Sequence, residues 1–321
     1  MTFQPAPLRV ASLLPAATEI VAALGAVDRL VGVSHECDWP AAARGLPVLT
    51  RPRVAASGTS REIHDAISKQ AVSALAVYDV DLEALAAARP DVIVTQDLCD
   101  VCAVPFDAVR RAVAEIGLES TTIVSLKPLD LKGIWRSIEA VAAALGLEER
   151  GHTLVEGLQA RMQAVHARAR RLPRTPRVLT IEWLDPVMIG ATWMPELVQL
   201  AGGRPLVAQT GEKAPVLDAR SLAKVSPAPD IVVLKPCGFT LARSLMEIET
   251  ITRLFEGVRW PACDGGEVFL CDGNAYFNRP GPRIVESLEI LAACVHSYDF
   301  RDLGAKHAAS FQRLGVRRGR V

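Results

Sequence analysis

Short apolar runs alternate with helical patterns along the first half of the chain. Four runs have the length and the flanking turn residues of β-strands, and these runs are Arg9–Leu13, Leu30–Ser34, Asp91–Gln96 and Thr121–Leu126. Apolar residues recur at helical spacing over four further segments, which are Ala17–Leu24, Ser60–Val72, Leu82–Ala88 and Phe106–Ile116. Asp81 and Ser60 stand where the N-cap residues of two of these helices belong. The alternation of strand and helix predicts a parallel α/β sheet.

The middle of the chain is helical throughout. Leu131–Leu145 is amphipathic, and Leu147–Arg171 continues without a proline, with apolar residues at Leu154, Leu158 and Met162. Glycine and serine are too scarce in this stretch for a flexible linker, so it predicts a connecting helix.

The second half of the chain restarts the alternation of strands and helices. The predicted strands are Val178–Trp183, Asp230–Lys235 and Glu267–Cys271, and the predicted helices are Pro195–Ala201, Ala219–Val225 and Pro280–His296. We therefore expect an α/β lobe over residues 1–128, a helical connector over 129–172, a second α/β lobe over 173–300 and a tail over 301–321.

Charge and hydropathy limit the classes of partner. The chain carries 36 basic and 36 acidic residues, whereas nucleic acids and anionic membranes require a basic excess. No apolar run is long enough to cross a bilayer, so we expect no membrane insertion. The first residues, Met1–Pro7, lack the pattern of a secretory signal. We expect a cytoplasmic location, or a periplasmic or surface location if a signal has been removed.

Several of the seven cysteines follow predicted strands. His35 and Cys37 follow the second strand, Cys99 and Cys102 follow the third, and Cys237 follows a strand of the second half. In parallel α/β sheets, ligands bind at the carboxyl ends of the strands. Thiolates favour zinc or iron–sulfur clusters over hard cations. The sequence therefore predicts a site of Cys37, Cys99 and Cys102, with Cys237 or His35 as a further ligand, for zinc or a 4Fe-4S cluster.

The cysteine pattern leaves several functions open. One is a binding protein for a small molecule or metal chelate. Another is a cytoplasmic enzyme whose cluster, with an open coordination position, performs sulfur transfer or reductive chemistry. A third is a structural zinc site, and the simplest alternative is that the thiols are small buried hydrophobic residues. The sequence alone does not decide whether the protein is an enzyme.

Aromatic and polar residues at or after the ends of the predicted strands are candidates for a ligand pocket. The candidates are Trp39, Asp97, Trp183, Trp193, Tyr276, Asn278 and Arg279. The alternatives are packing between the lobes for the aromatic rings and a surface ion pair for Arg279.

Three blocks of sequence resemble a known family. VASLLPAATEIVAALG (Val10–Gly25) resembles the opening of class III substrate-binding proteins, and DLEALAAARPDVIVTQ (Asp81–Gln96) resembles their second block. NRPGPRIVESLEILA (Asn278–Ala292) resembles their closing helix. The resemblance covers about residues 8–297 and is nearest to the cobalamin-binding branch.

This resemblance implies a fold and a class of ligand. It implies two Rossmann-like lobes joined by one long helix, with the ligand cleft between the lobes. The ligands of the family are vitamin B12, iron–siderophores, heme or metal ions, and cobalamin is the ligand of the nearest branch. An ABC transporter is the partner that the resemblance implies, although the sequence assigns no residues to that contact. The cysteines in SHECDWP and TQDLCDVCAV depart from the B12-binding pattern.

Overall fold

The computed structural model describes residues 6–54, 57–72, 78–96 and 106–316. Contacts divide the chain into two compact units. The first comprises Met1–Ser57, Asp65–Pro128 and Lys132–Gly157, and the second comprises Gly58–His64, Leu129–Leu131 and Leu158–Val321. The mixed helix and strand content confirms the predicted α/β class.

The first half of the chain forms a parallel sheet with helices between its strands. Its strands are β1 (Val10–Ser12), β2 (Leu30–Val33), β3 (Thr50–Pro52), β4 (Tyr78–Val80), β5 (Val92–Gln96) and β6 (Thr122–Leu126). Its helices are α1 (Pro15–Ala23), α2 (Ser60–Val72), α3 (Leu82–Ala88), α4 (Phe106–Glu115), α5 (Leu131–Ala144) and α6 (Glu148–Ala169). The sheet order is β2-β1-β5-β6, with all neighbours parallel, and β3 pairs separately with β4.

The second half forms a mixed sheet with three parallel strands at its centre. Its strands are β7 (Arg177–Trp183), β8 (Val187–Ile189), β9 (Arg204–Pro205), β10 (Val216–Leu217), β11 (Ile231–Leu234), β12 (Val268–Cys271) and β13 (Phe311–Leu314). Its helices are α7 (Met194–Leu200), α8 (Ala219–Ala223), α9 (Leu241–Leu245), α10 (Ile248–Leu254), α11 (Pro261–Asp264), α12 (Ile284–Val295) and α13 (Arg301–Lys306). The order is β10-β8-β7-β11-β12-β13, and β9 pairs with β7.

Local signals account for elements that match the prediction closely. The α3 helix has the predicted bounds because Asp81 accepts a hydrogen bond from the Ala84 N–H at 3.0 Å, as an N-cap does. The strands β5 and β11 are buried along their whole length, which suits continuous apolar runs in parallel sheets.

The residues expected to form a C-terminal tail are in fact structured as far as residue 316. They form α13 and the edge strand β13, which pairs antiparallel with β12. The sequence did not indicate this strand because Gln312 and Arg313 are exposed and interrupt any apolar run. Short polar strands are typical of protected sheet edges.

Each of the two main sheets has the same aspartate contact at the start of its central parallel strands. The Asp91 carboxylate accepts the Arg9 N–H at 2.7 Å, and the Asp230 carboxylate accepts the Arg177 N–H at 2.8 Å. Each aspartate in turn donates its own N–H to the same arginine's carbonyl at 2.9 Å. Side-chain hydrogen bonds from Arg177 lower the pKa of Asp230. The two halves therefore share a structural detail without a sequence repeat.

Candidate functional site

Polar side chains gather at the carboxyl ends of β7, β11 and β12, where parallel α/β sheets bind ligands. We call Glu182, Trp183, Lys235, Cys237 and Asn278 the rim, and residues 272–281 the rim loop. Main-chain hydrogen bonds hold two of the strand ends together: the Lys235 N–H donates to Ile181 O at 2.8 Å and the Cys237 N–H donates to Glu182 O at 2.9 Å.

A buried lysine is the centre of the rim. The Lys235 side chain is 1% exposed, and its ammonium donates to Glu182 Oε2 at 3.0 Å and to Asn278 Oδ1 at 2.9 Å. A buried charge is tolerated only when it is paired and hydrogen-bonded. Gly190 leaves space for this side chain and for Thr180, since an added Cβ would lie 2.5 Å from Thr180 Oγ1 and 3.2 Å from Lys235 Cε. Glu182, 23% exposed, is the member of this triad that combines charge with access to solvent.

The rim loop is held by its own hydrogen bonds. Asp272 Oδ1 accepts the N–H groups of Asn274 and Ala275 at 3.0 and 2.7 Å. The Asn278 amide donates to Gly273 O at 2.8 Å and to Lys235 O at 3.3 Å. The Asn278 side chain therefore fixes the loop against the strand that carries the buried lysine.

Phe277 has a backbone conformation that non-glycine residues rarely adopt, with φ of 66°. Two buried contacts maintain it. The Trp193 indole N–H donates to Phe277 O at 2.8 Å, and Ser287 Oγ accepts the Phe277 N–H at 2.8 Å. Strain of this kind persists where surrounding contacts determine it, and it often lies at functional sites. Here it places Tyr276 and Asn278 on either side of a fixed peptide unit.

An aromatic pair continues the rim beyond the lysine. The partly exposed Trp183 ring lies 5.2 Å from the Phe239 ring, and the Arg243 guanidinium stacks 4.2 Å from the same ring. The Trp183 indole donates to Ser60 O at 3.2 Å, within the same unit. Glu247 accepts hydrogen bonds from Ser60 and from Arg243. Trp183 is thus held in place while part of its ring is accessible.

The first unit has a separate polar group at the carboxyl ends of β1 and β2. The Cys37 sulfur lies 3.1 Å from Thr18 Oγ1 and 3.4 Å from Ser34 Oγ. Thr18 Oγ1 also lies 2.8 Å from Ser12 Oγ, which donates to Leu14 O at 3.0 Å. A chain of hydroxyl groups therefore leads from the sheet to a partly exposed thiol.

His35 lies beside this thiol in the sequence and is held by a different partner. Its N–H donates to Thr50 Oγ1 at 3.1 Å, and its Nδ1 lies 2.7 Å from the same oxygen. Its ring lies 4.9 Å from that of Tyr78, whose hydroxyl donates to Glu36 at 2.8 Å. Burial lowers the pKa of His35, against the opposing effect of the Glu36 charge. A neutral imidazole is the form that binds metals.

The structure distributes the predicted metal ligands over both units. Cys37 and His35 belong to the first unit and Cys237 to the second, whereas Cys99 and Cys102 lie outside the described residues. Among the residues that the structure describes, no group of three or more histidine, cysteine, aspartate or glutamate side chains could hold a metal ion. The zinc or iron–sulfur site stays a prediction.

The predicted pocket residues have different surroundings. Trp39 is 38% exposed and Trp193 is 5% exposed, and Asp97 lies outside the described residues. Tyr276 is partly buried, 6.4 Å from the His307 ring. Arg279 is buried and donates to Asn274 Oδ1 at 3.1 Å. Trp183 directly follows Glu182 in β7, and Asn278 shares the Lys235 ammonium with Glu182.

The sequence alone does not identify Glu182 as a site residue, because Glu182 lies inside the predicted strand Val178–Trp183. The available signal was a charged residue in the largely apolar run VLTIEW. Its partner Lys235 is 53 residues away, so the pairing becomes visible only in three dimensions.

A sequence profile described as periplasmic binding protein matches residues 10–273 of the chain. The chain belongs to this family. The family resemblance found in the sequence is thereby confirmed, and the chain is a substrate-binding protein. Comparison with curated proteins finds no match.

Solved structures of the same fold come from several bacteria. The periplasmic heme-binding protein RhuT from Roseiflexus is 21% identical with a TM-score of 0.66, covering 91% of this chain and 99% of that chain. A periplasmic heme-binding protein from Pseudomonas aeruginosa is 19% identical with a TM-score of 0.67, covering 91% and 93%. The periplasmic vitamin B12-binding protein BtuF of Vibrio cholerae is 20% identical with a TM-score of 0.62, covering 90% and 96%. These similarities show the fold of the periplasmic binding protein.

The helices and the family name both bear on the location of the protein. Among the described helices, none combines the length and the apolar character that crossing a membrane requires. The family takes its name from the periplasm, and the cytoplasmic location stays a prediction.

Proposed function

We propose that this protein binds a metal-containing macrocycle of the heme and corrinoid type and delivers it to an ABC transporter. The observation that carries the proposal is the rim, where the anchored and partly exposed Trp183 directly follows Glu182, a member of a charged and hydrogen-bonded triad with Lys235 and Asn278. Ligand sites combine apolar walls with a few placed polar groups in this way. Proteins of the same fold include binders of heme and of vitamin B12.

The rim is suited to a large flat ligand because its parts are fixed before binding. Trp183 is held by its indole N–H and braced by Phe239. Asn278 and Lys235 are held by the loop and strand contacts described above. Little ordering is then needed when the ligand arrives, and a preorganised site binds more tightly for the same contacts.

Titration with cyanocobalamin and with hemin tests this proposal. We expect saturable binding of at least one of them and a higher melting temperature, since a ligand at 100 times its Kd stabilises the native state by about 2.7 kcal/mol. Quenching of tryptophan fluorescence and differential scanning calorimetry measure the two effects. Absence of binding and of stabilisation with both macrocycles would contradict the proposal.

The Trp183→Ala variant locates the binding surface. We expect it to weaken binding of the preferred macrocycle at least about tenfold, because buried aromatic contacts carry much of the binding energy at interfaces. Tyr298→Ala is a matched control, since Tyr298 is 78% exposed in the second unit and is not part of the rim. If the two variants bound the macrocycle with equal affinity, Trp183 would not be part of the binding site.

The predicted thiolate site is a separate proposal, and it is supported by the partly exposed Cys37 at the end of β2. The described residues supply Cys37 and His35 and no third ligand, so metal binding would depend on Cys99 and Cys102. Anaerobic purification followed by zinc, iron and sulfide analysis tests it. If the site exists, Cys37→Ala lowers the metal content and leaves macrocycle binding intact. A metal-free wild-type protein excludes both the site and a cluster-based enzyme.

A further inference from the structure

We propose that Glu182, held by Lys235, selects ligands that present hydrogen-bond donors to the rim and disfavours ligands that present carboxylates there. This inference rests on the proposed function and divides its ligand class in two. Corrinoids carry peripheral carboxamides, which are neutral and donate hydrogen bonds, whereas heme carries two propionate carboxylates. The preferred ligand is therefore a corrinoid.

Glu182 has one oxygen committed and one available. Lys235 donates to Oε2 at 3.0 Å, and Oε1 has no hydrogen-bond partner among the described residues. The side chain is 23% exposed, so a ligand seated on the rim can reach it. A carboxylate only accepts hydrogen bonds. A carboxamide N–H can satisfy Oε1, whereas a second carboxylate would face a like charge.

The two buried cations of the rim region are already committed to protein groups. The ammonium of Lys235 is enclosed between Glu182 and Asn278, and the guanidinium of the buried Arg279 donates to Asn274 Oδ1 at 3.1 Å. An incoming propionate would have to displace these contacts, and an unsatisfied buried polar group is destabilising.

The two arginines that flank Trp183 and Phe239 are also paired. Arg61 forms an ion pair with Asp185. Arg243 lies 3.2 Å from the Glu247 carboxylate and also donates to the Gly58 carbonyl. Among these described residues of the second unit, each cation is therefore matched to a carboxylate or to another acceptor. A ligand carboxylate would therefore meet the charge of Glu182 without an available cation among these residues to compensate it. Such repulsion contributes to selectivity as much as attraction does.

Asn278 acts as a positioning residue in this arrangement. Its carbonyl accepts from Lys235, and its amide donates to Gly273 O and Lys235 O. Because the Asn278 side chain is hydrogen-bonded to protein groups, Glu182 is the member of the triad that can contact the ligand.

Comparison of matched ligands tests the inference without a variant. The ligands are cyanocobalamin, its isomeric monocarboxylates (in each of which one peripheral amide is hydrolysed) and hemin. Calorimetric titration of the wild-type protein is expected to show cyanocobalamin binding roughly tenfold tighter than at least one monocarboxylate, and tighter than hemin. Equal affinities for cyanocobalamin and every monocarboxylate, or tighter binding of hemin, would overturn the inference while leaving the proposed function intact. Failure of every macrocycle to bind would overturn both.

The Glu182→Gln/Lys235→Met double variant assigns the selectivity to the pair. A single Glu182→Gln change would leave the buried Lys235 ammonium without a compensating charge. Replacing both partners avoids this. We expect the ratio of the affinities for cyanocobalamin and for the disfavoured monocarboxylate to fall to about two or less. Glu249→Gln, an exposed carboxylate of α10, is the control and keeps the wild-type ratio. A double variant that is folded by circular dichroism and retains the wild-type ratio would overturn the assignment.

Discussion

Replacing Glu289 with alanine is expected to lower the free energy of unfolding by about 3 kcal/mol, because the variant loses a buried carboxylate that three side chains hold by hydrogen bonds. Glu289 lies on α12 with its side chain 8% exposed. Its Oε2 accepts from Lys306 at 2.6 Å and lies 2.7 Å from the His307 Nε2, and its Oε1 accepts from Arg161 at 3.0 Å. One carboxylate thus joins α6, α12 and the helix that precedes the edge strand.

The stabilisation by Glu289 also has a defined pH dependence. Burial by itself would raise the pKa of Glu289, but hydrogen bonds from His307, Lys306 and Arg161 outweigh it and hold the pKa at about 2, below the usual 4.5. A carboxyl group whose pKa is lowered by folding stabilises the native state at pH values above its pKa in the unfolded chain. This stabilisation is lost as the pH falls through the pKa of the folded state. The shift corresponds to about 3 kcal/mol. We therefore expect the wild-type advantage over Glu289→Ala to decrease between pH 4.5 and pH 2.

Urea denaturation of matched variants checks this prediction. Glu156→Ala changes an exposed glutamate of α6, and such surface changes usually alter stability by less than about 0.5 kcal/mol. If Glu289→Ala were as stable as Glu156→Ala at neutral pH, the buried network would contribute nothing to stability.

Replacing Gly273 with alanine is expected to destabilise the protein by about 3 kcal/mol and to abolish ligand binding, because the added methyl group overpacks a rigid site. An added Cβ would lie 2.0 Å from Pro236 O and 2.7 Å from Lys235 O. Both are backbone atoms, so no side-chain rotation relieves the contact. The rim loop must move away from β11, which breaks the bond from Asn278 to Lys235 O and the main-chain bond from the Gly273 N–H to Phe239 O.

A glycine in an open position is the control for this prediction. Gly157 lies within α6, and an added Cβ there meets nothing within 4 Å. Gly157→Ala is expected to stabilise the protein by about 0.5–1 kcal/mol through helix propensity. Thermal unfolding and cyanocobalamin titration measure both variants. A Gly273→Ala protein that melts and binds like Gly157→Ala would show that the rim loop adapts freely.

The sequence predicted the main elements because their signals are local. Asp81 marks the start of α3, and the apolar run at Ile231–Leu234 is long enough to identify a buried parallel strand. The edge strand Phe311–Leu314 was not predicted, since its pairing with β12 rather than its own composition makes it a strand. Local propensity is a weak guide where tertiary pairing decides the structure.

The candidate site was less predictable because it depends on contacts between distant segments. Trp183 and Asn278 were identified because they stand at or after the carboxyl ends of strands, where parallel α/β sheets bind ligands. Glu182 was not, because its role follows from Lys235 and from the loop that carries Asn278. The thiols of Cys37 and Cys237 were grouped by their chemistry, whereas the structure assigns them to different units.

Hydrogen–deuterium exchange with and without saturating ligand tests most directly whether the rim holds the ligand. Peptides that contain residues 235–240 and 272–281 are expected to exchange more slowly in the complex, because binding covers the ends of β11 and β12. Peptides over residues 301–314, which contain α13 and the edge strand β13 of the same sheet, are expected to exchange unchanged. Protection that is absent from the rim segments while the ligand is demonstrably bound would contradict the account.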